Sequence, residues 1–231
     1  MPHFLKHRRT DLIERMDRAD CDAQKLANTY HQFRLINRFL SGWRWIFLHR
    51  MRPLMMQQKT YTVLDVGFGG GDIPIYLSTL AREKGIDLHI TAIEIDERAL
   101  EFVQQLPPQP RVQFRQASLE TILEEGQKFD FVISNHVLHH LSENQLSHFL
   151  DQACSLATSA VCFNDIRRSD IGFLLFGIAS QVFRHSFVSE DGLMSIRRSF
   201  TKKELENITS NGWRTERFGA FRLLLTHLHE H

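Results

Sequence analysis

The stretch Thr62-Val-Leu-Asp-Val-Gly-Phe-Gly-Gly-Gly-Asp-Ile-Pro-Ile-Tyr-Leu77 decides the fold of this chain. It begins as an apolar strand, passes through a glycine-rich loop and continues as the start of a helix. Glycine takes positive φ without strain, and its lack of a Cβ atom lets a ligand approach the backbone. Open α/β sheets bind cofactors at the carboxyl ends of such strands. The stretch therefore predicts a cofactor site in a mostly parallel α/β fold.

Three features of this loop discriminate between cofactors. The dinucleotide fingerprint G-x-G-x-x-G/A requires a small residue at position 72, where this chain has Asp72. No Gly-Lys-Ser/Thr follows, which excludes the nucleoside-triphosphate loop. Asp65 lies two residues before the first glycine, where a carboxylate repels a pyrophosphate and attracts an ammonium group. A glycine turn without a ligand is the less favoured alternative.

The loop resembles motif I of the class I S-adenosylmethionine-dependent methyltransferases, a hydrophobic strand followed by D/E-x-G-x-G-x-G. Asp65, Gly67, Gly69 and Gly71 match that motif position by position. The resemblance implies S-adenosylmethionine as the cofactor, held by these residues and Phe68. It also implies an α/β, Rossmann-like, mostly parallel seven-stranded sheet that ends in a C-terminal antiparallel hairpin, here expected at 213–218 and 221–228.

The second predicted strand, 88–95, ends at the next acidic group of the motif series. Glu94 aligns with the family carboxylate that binds the ribose hydroxyls, and Ile95 lies beside it in the expected cofactor contacts. NAD enzymes share this acidic position, so its specificity comes from the pairing with Asp65. Asp96 is expected to cap a helix that begins near Glu97.

The third predicted strand, 112–116, precedes the expected adenine contacts. The family usually has an acidic residue just after this strand, whereas this chain has Ser118 followed by Leu119. A serine hydroxyl can still accept a hydrogen bond from the adenine amino group. Glu120, one turn further on, is the alternative acceptor.

The fourth predicted strand ends in Ser134-Asn135-His136, which resembles motif IV at the methyl-bearing end of the cofactor. Asn135 is assigned to the cofactor. His136 is the candidate general base, because histidine titrates near neutral pH. Methylases of amino groups carry Asn/Asp-Pro-Pro-aromatic at this position, so the sequence argues against methylation of a nucleobase amine.

The spacing of His136, His139 and His140 also permits a metal site. No carboxylate or cysteine completes the ligand set, so no metal is expected. Structural packing of His139 and His140 at the start of a helix is the favoured alternative.

The chain divides into a predicted helical N-terminal lid, 1–58, and a methyltransferase domain, 59–231, with a variable apolar insertion on the substrate side at about 170–199. The lid is expected to contain a helix from Thr10 or Asp11 to Met16 and a longer one from Asp22, broken at Ser41-Gly42. The spacing of Phe33, Asn37 and Ser41-Gly42 loosely resembles quinone-biosynthesis methyltransferases. Within the insertion, 171–183 is predicted to be a core helix or a pocket wall, and 186–199 a loop.

Composition places the chain among globular proteins of a reducing compartment. Its 231 residues carry a formal net charge of +1, which gives no general attraction to nucleic acid. The three cysteines lack metal-binding spacing, and no signal peptide or membrane span is evident, so the expected location is the cytoplasm. The sequence leaves open whether the chain forms a homodimer.

These features together predict a methyltransferase that acts on a small lipophilic or aromatic acceptor, most simply a phenolic, quinol or polyketide-type hydroxyl. Methylation at a ring carbon of a quinol is chemically close. The alternatives are an RNA or protein methyltransferase and a cofactor-binding subunit without catalysis. The near-neutral charge weighs against nucleic acid as a partner.

Overall fold

The computed structural model of the chain describes residues 3–56, 59–209 and 212–229. These residues form one seven-stranded sheet. Its strands are β1 (Thr60–Val66), β2 (Asp87–Glu94), β3 (Val112–Gln116), β4 (Phe129–Asn135), β5 (Ala157–Ile166), β6 (Trp213–Phe218) and β7 (Arg222–Leu228). The order is β3-β2-β1-β4-β5-β7-β6, with β1 to β5 parallel and β7 antiparallel to both neighbours. The predicted α/β fold with its terminal hairpin is confirmed.

Helices cover both faces of the sheet. They are α1 (Ala23–Leu40), α2 (Trp43–Ile46), α3 (Asp72–Glu83), α4 (Glu97–Gln104), α5 (Leu119–Glu124), α6 (Glu143–Leu156), α7 (Asp170–Ala179), α8 (Val188–Arg198) and α9 (Lys202–Ile208). A π-helical turn, Phe47–Met51, continues α2, and 3-10 turns span Arg52–Leu54, Leu138–His140 and Ser180–Val182. None of the helices in the described ranges is long and apolar enough to span a membrane.

Alternate residues of the strands enter two separate cores. On β1, Val63 packs with α1 to α4, whereas its neighbour Leu64 packs with α5, α6 and α9. Successive side chains of a strand point to opposite faces, so both faces of this sheet are buried. The site residues predicted from the sequence lie where the parallel strands end. The carboxyl ends of β1, β2, β4 and β5 share one edge of the sheet.

The N-terminal helices follow their sequence signals. Asp22 caps α1 by accepting a hydrogen bond from Lys25 N–H at 2.9 Å. The predicted break falls at Gly42, whose φ of +75° starts α2 in a new direction. A Cβ atom there would lie 2.3 Å from a ring carbon of Phe218, so glycine is also required by packing. The predicted domain boundary at residue 58 lies outside the described residues.

The predicted helix from Thr10 or Asp11 to Met16 is wrong. This segment forms turns, because the N–H groups of Arg15 and Met16 donate to the distant Asp191 carboxylate (2.7 and 3.0 Å) instead of to a helix ladder. The predicted loop 186–199 is also wrong, because it contains α8. Acidic residues in the first turn of α8 and arginines in its last turn complement the helix dipole.

The apolar run 171–183 forms α7 and the following 3-10 turn, but most of it does not enter the core. Large side chains along it are between 52% and 75% exposed: Ile171, Leu174, Leu175, Ile178 and Val182. The prediction of a core helix is therefore wrong for this face. The alternative, a wall facing an apolar ligand, stays a prediction.

Candidate functional site

The loop between β1 and α3 adopts a conformation that requires glycine at several positions. Gly67, Gly69 and Gly71 have φ values of +80°, +49° and +72°, a region that side chains rarely adopt. A Cβ atom on Gly67 would lie 2.4 Å from Val137 Cγ2. Gly67 N–H donates to Ile93 O at 2.8 Å, which ties the loop to the end of β2. The backbone of this loop therefore needs glycine for both conformation and space.

Asp65 is a buried acid with an unused acceptor. Its side chain is 1% exposed, and Oδ2 has no hydrogen-bond partner among the described residues. Burial, and then the carboxylates of Asp72 and Glu94, raise the pKa of Asp65 well above its usual range. A buried acid without a partner is costly, and a cationic ligand group would remove that cost. This is the chemistry that an ammonium group supplies.

Glu94 is positioned by the backbone around the same loop. Its Oε2 accepts from Gly69 N–H at 3.2 Å, and its Oε1 accepts from Ile95 N–H at 2.8 Å. A carboxylate has about four lone-pair sites, so acceptor capacity remains for a ligand. Burial raises the pKa of Glu94, against the opposing effect of these N–H donors. Beside it, the Ile95 side chain is 73% exposed and presents an apolar surface at the strand end.

The structure places the remaining cofactor candidates in structural contacts. Phe68 is buried and packs edge-to-face on Phe114, with centroids 4.9 Å apart. Ser118 caps α5 through a 3.2 Å bond from Thr121 N–H, and the Leu119 side chain lies in the core. A contact of Leu119 with a ligand would have to use its backbone.

Asn135 is the centre of a polar network that joins the N-terminal helices to the sheet. Its Oδ1 accepts from Trp43 Nε1 (3.1 Å), Arg222 Nη2 (2.9 Å) and Asn164 Nδ2 (3.2 Å). Asn164 Nδ2 also donates to Ser41 O at 2.7 Å. Sequence reasoning missed Trp43 and Arg222, because each meets Asn135 only across the fold. Burial lowers the pKa of Arg222 to about 10, which leaves it charged at neutral pH.

His136 follows β4 in a left-handed conformation, with φ of +65°. Its backbone N–H donates to Asn164 O at 3.0 Å, whereas its Nε2 is buried and unpaired within the described ranges. Burial, and then the nearby Arg222 charge, lower the pKa of His136 well below the ordinary value. The imidazole is therefore neutral at physiological pH and can accept a hydrogen bond.

His139 lies between two carboxylates. Its Nδ1 is 2.7 Å from Asp165 Oδ1, and its Nε2 is 3.3 Å from Glu14 Oε1. Burial opposes the charged imidazole, but Asp165 and Glu14 outweigh it and raise the pKa of His139 to about 9. Glu14 was missed by sequence reasoning, because it comes from the irregular N-terminal segment. The fold thus adds a carboxylate to the histidine run.

The sequence matches a methyltransferase domain model over residues 63–159. No curated protein sequence matches the chain. Among solved structures, the chain is similar to the plantazolicin methyltransferase in complex with a pentazolic desmethylPZN analog and SAH. The TM-score is 0.64 at 12% identity, covering 90% of this chain and 96% of that one.

Two further structures share the fold. The magnesium protoporphyrin IX methyltransferase from Synechocystis PCC 6803, with bound SAH, gives a TM-score of 0.55 at 18% identity, covering 93% of this chain and 90% of that one. Human N-acetylserotonin methyltransferase, in complex with SAM, gives 0.62 at 11% identity, covering 90% and 56%. Identities this low show a shared architecture alone. The sequence match over residues 63–159 indicates a methyltransferase domain. The chain thus combines this domain match with the fold of solved S-adenosylmethionine-dependent methyltransferases, and it has the glycine loop, Asp65 and Glu94 at the ends of its strands.

Proposed function

We propose that the enzyme transfers the methyl group to a hydroxyl of a small lipophilic acceptor of the phenolic, quinol or polyketide type. The observation that carries this proposal is the neutral His136, whose buried Nε2 has no hydrogen-bond partner among the described residues and which follows β4 in the loop that resembles motif IV. Nε2 would accept a hydrogen bond from the acceptor hydroxyl and take its proton as the oxygen–methyl bond forms and the methyl–sulfur bond breaks, which leaves S-adenosylhomocysteine.

The cofactor roles follow from the same edge of the sheet. Asp65 receives the cofactor ammonium group, Glu94 accepts the ribose hydroxyls, and the backbone of Gly67, Gly69 and Gly71 lies against the cofactor. Phe68, Ile95, Ser118, Leu119 and Asn135 complete the proposed set. Methyl transfer from a sulfonium needs mainly positioning and exclusion of water, because the cofactor carries the activated group.

The lipophilic character of the acceptor is supported by the segments around this edge. The lid proposed at 1–58 reaches this edge through Trp43, and α7 begins just after β5. The exposed apolar face of α7 supplies a surface for an apolar ligand. The three methyltransferases named above act, by their names, on plantazolicin, magnesium protoporphyrin IX and N-acetylserotonin, which are small molecules.

Single-turnover transfer from methyl-labelled S-adenosylmethionine to a panel of phenols and quinols tests the proposal. His136→Asn is the informative variant, because asparagine tolerates positive φ but cannot take up the proton. A general base contributes roughly 10²–10⁴-fold, so we expect a loss of that order with cofactor affinity retained. His148→Gln, at an exposed histidine, is the matched control and should keep full rate.

Analysis of the methylated product distinguishes between a hydroxyl oxygen, a ring carbon and a macromolecule as the methyl acceptor. A methyl ether supports transfer to oxygen, whereas a carbon-bound methyl group would assign the enzyme to ring-carbon methylation. Faster labelling of RNA or protein than of any phenol would overturn the small-molecule proposal. Full rate in His136→Asn would overturn the role of His136 alone.

A further inference from the structure

The N-terminal segment and the turn Leu138–His140 bring two imidazoles and one carboxylate together. Glu14 Oε1 lies 3.3 Å from His139 Nε2 and 3.9 Å from His140 Nε2. One candidate ligand atom from each residue lies within 4.8 Å of the others. The side chains of Glu14 and His139 are 5% and 2% exposed, whereas that of His140 is 30% exposed. The group is thus mostly enclosed, with one open side.

The second feature of this group is the position of His139 Nε2 opposite Glu14. Nε2 forms no hydrogen bond with any part of the chain that the structure describes, although Glu14 Oε1 is 3.3 Å away. A buried nitrogen left in this state costs free energy. Two ligands bound to one tetrahedral zinc ion at about 2.0–2.1 Å are about 3.3–3.4 Å apart. The separation between Glu14 and His139 matches that edge of a tetrahedron.

The other nitrogen of each imidazole faces a carboxylate. His139 Nδ1 is 2.7 Å from Asp165 Oδ1, and His140 Nδ1 is 3.3 Å from Asp17 Oδ2. A histidine that binds a metal usually donates its second N–H to a carboxylate, which fixes the tautomer and leaves the lone pair for the metal. The structure repeats this arrangement at both histidines.

Charge also favours a cation here. Three carboxylates, those of Glu14, Asp17 and Asp165, border the two imidazoles. Arg8 and Arg198 are close, but their guanidinium groups donate to backbone carbonyls of the turn, at 2.9 Å from Arg8 Nη2 to His139 O and 3.2 Å from Arg198 Nη2 to His140 O. When a cation displaces the proton of His139, the three carboxylates outnumber the two guanidinium groups.

We propose that Glu14, His139 and His140 bind a divalent transition-metal ion, with Zn²⁺ as the best match to the ligand set. Two imidazoles and a carboxylate form a three-ligand zinc site, in which a water molecule takes the fourth position. The half-exposed side of His140 gives the ion and the water access. The ion links residues 14–17 to the end of β4, and its binding does not depend on the identity of the methyl acceptor. Glu14 supplies a carboxylate that the sequence alone did not identify as a ligand.

Metal analysis of the full-length protein tests this proposal. After chelation and dialysis against Zn²⁺, about one tightly bound ion per chain is expected, with an increase in melting temperature. Glu14→Gln and His140→Gln should each abolish this binding. Asp17→Asn, which alters only the group behind His140, should weaken it roughly 10- to 100-fold. Circular dichroism and binding of S-adenosylhomocysteine verify that each variant is folded.

A second group of half-buried residues, Cys154, His227 and His229, provides the matched control. Cys154→Ser should retain the ion, and Co²⁺ bound to the unaltered protein should give tetrahedral d–d absorption without a thiolate charge-transfer band. Loss of the ion in Cys154→Ser, or a thiolate band, would overturn the proposal. Failure of the unaltered protein to bind Zn²⁺ would also overturn it and would make His139 an imidazolium held by Glu14 and Asp165.

Discussion

The cofactor loops and the N-terminal side of the site are assembled in different ways. Between Asp65 and Glu94, the chain places its candidate ligand groups on one strand–loop–helix–strand unit, and Gly69 N–H reaches Glu94 directly. Around His139, the groups come from the N-terminal segment, the turn after β4 and the end of β5. The first region is local in sequence, and the second exists only when distant segments meet.

This difference changes what each region tolerates. The cofactor loops depend on backbone conformation, so a single Cβ atom is disruptive. The N-terminal side depends on pairs of polar groups that satisfy one another in the interior, such as Asn135 with Trp43 and Arg222. The face of α7 depends on neither and remains exposed. Substitutions in the three places should differ in both kind and size.

The largest effect is expected for Gly67→Ala. Its φ of +80° and a Cβ position 2.4 Å from Val137 Cγ2 combine backbone strain with a clash. We expect a loss of roughly 2–4 kcal/mol in the free energy of unfolding and a severe loss of cofactor affinity. Gly85→Ala is the matched control, because its φ is +68° and no described atom lies within 4 Å. Equal cofactor affinity in both variants, measured by calorimetry, would contradict a special role for the Gly67 loop.

Glu94→Ala should have the next largest effect on cofactor binding. Hydrogen bonds to a charged group contribute about 1.5–3 kcal/mol, so affinity for S-adenosylhomocysteine should fall roughly 10- to 100-fold. Glu97→Ala, on the first turn of α4, is the control for charge at this edge. Unchanged affinity of Glu94→Ala for S-adenosylhomocysteine, measured by calorimetry, would contradict the proposal that Glu94 binds the ribose hydroxyls.

Asp65→Asn should weaken cofactor binding yet stabilise the cofactor-free protein. Because the pKa of Asp65 is raised on folding, its stabilising contribution is complete below the unfolded-state pKa and is lost as pH rises through the folded-state value. The stability advantage of the variant should therefore grow from about pH 4 upward. Denaturant unfolding at several pH values measures this, with the exposed Asp151→Asn as control. A difference that shrinks with pH would contradict the burial argument.

The smallest effect is expected on α7 and the 3-10 turn that follows it. Ile171 and Val182 are 64% and 74% exposed, so serine at either position should change the free energy of unfolding by no more than about 0.5 kcal/mol. Ile171 is the nearer to the end of β5, and loss of its apolar contact should lower kcat/KM for a lipophilic phenol about fivefold. Val182→Ser should leave kcat/KM unchanged. Equal rates for both variants would argue against α7 as an acceptor wall.

Sequence patterns predicted those elements whose signals are local. The strands, the caps at Asp22 and Asp96 and the break at Gly42 all appear where composition and spacing indicated them. The helix predicted for 10–16 does not form because two of its backbone N–H groups donate to the carboxylate of Asp191, which lies far away in the sequence. The prediction of a core helix for 171–183 was wrong because hydrophobicity predicts burial but does not show which part of the protein would cover the segment.

The sequence by itself determined the parallel sheet, the glycine loop and the acidic residues beside it, because strand period, positive φ and motif spacing are properties of neighbouring residues. Tertiary structure alone decided that Glu14 meets His139, that Trp43 and Arg222 converge on Asn135, and that α7 faces outward. Such contacts join residues far apart in the chain. Their geometry is fixed by how helices pack on the sheet, and no local pattern encodes it.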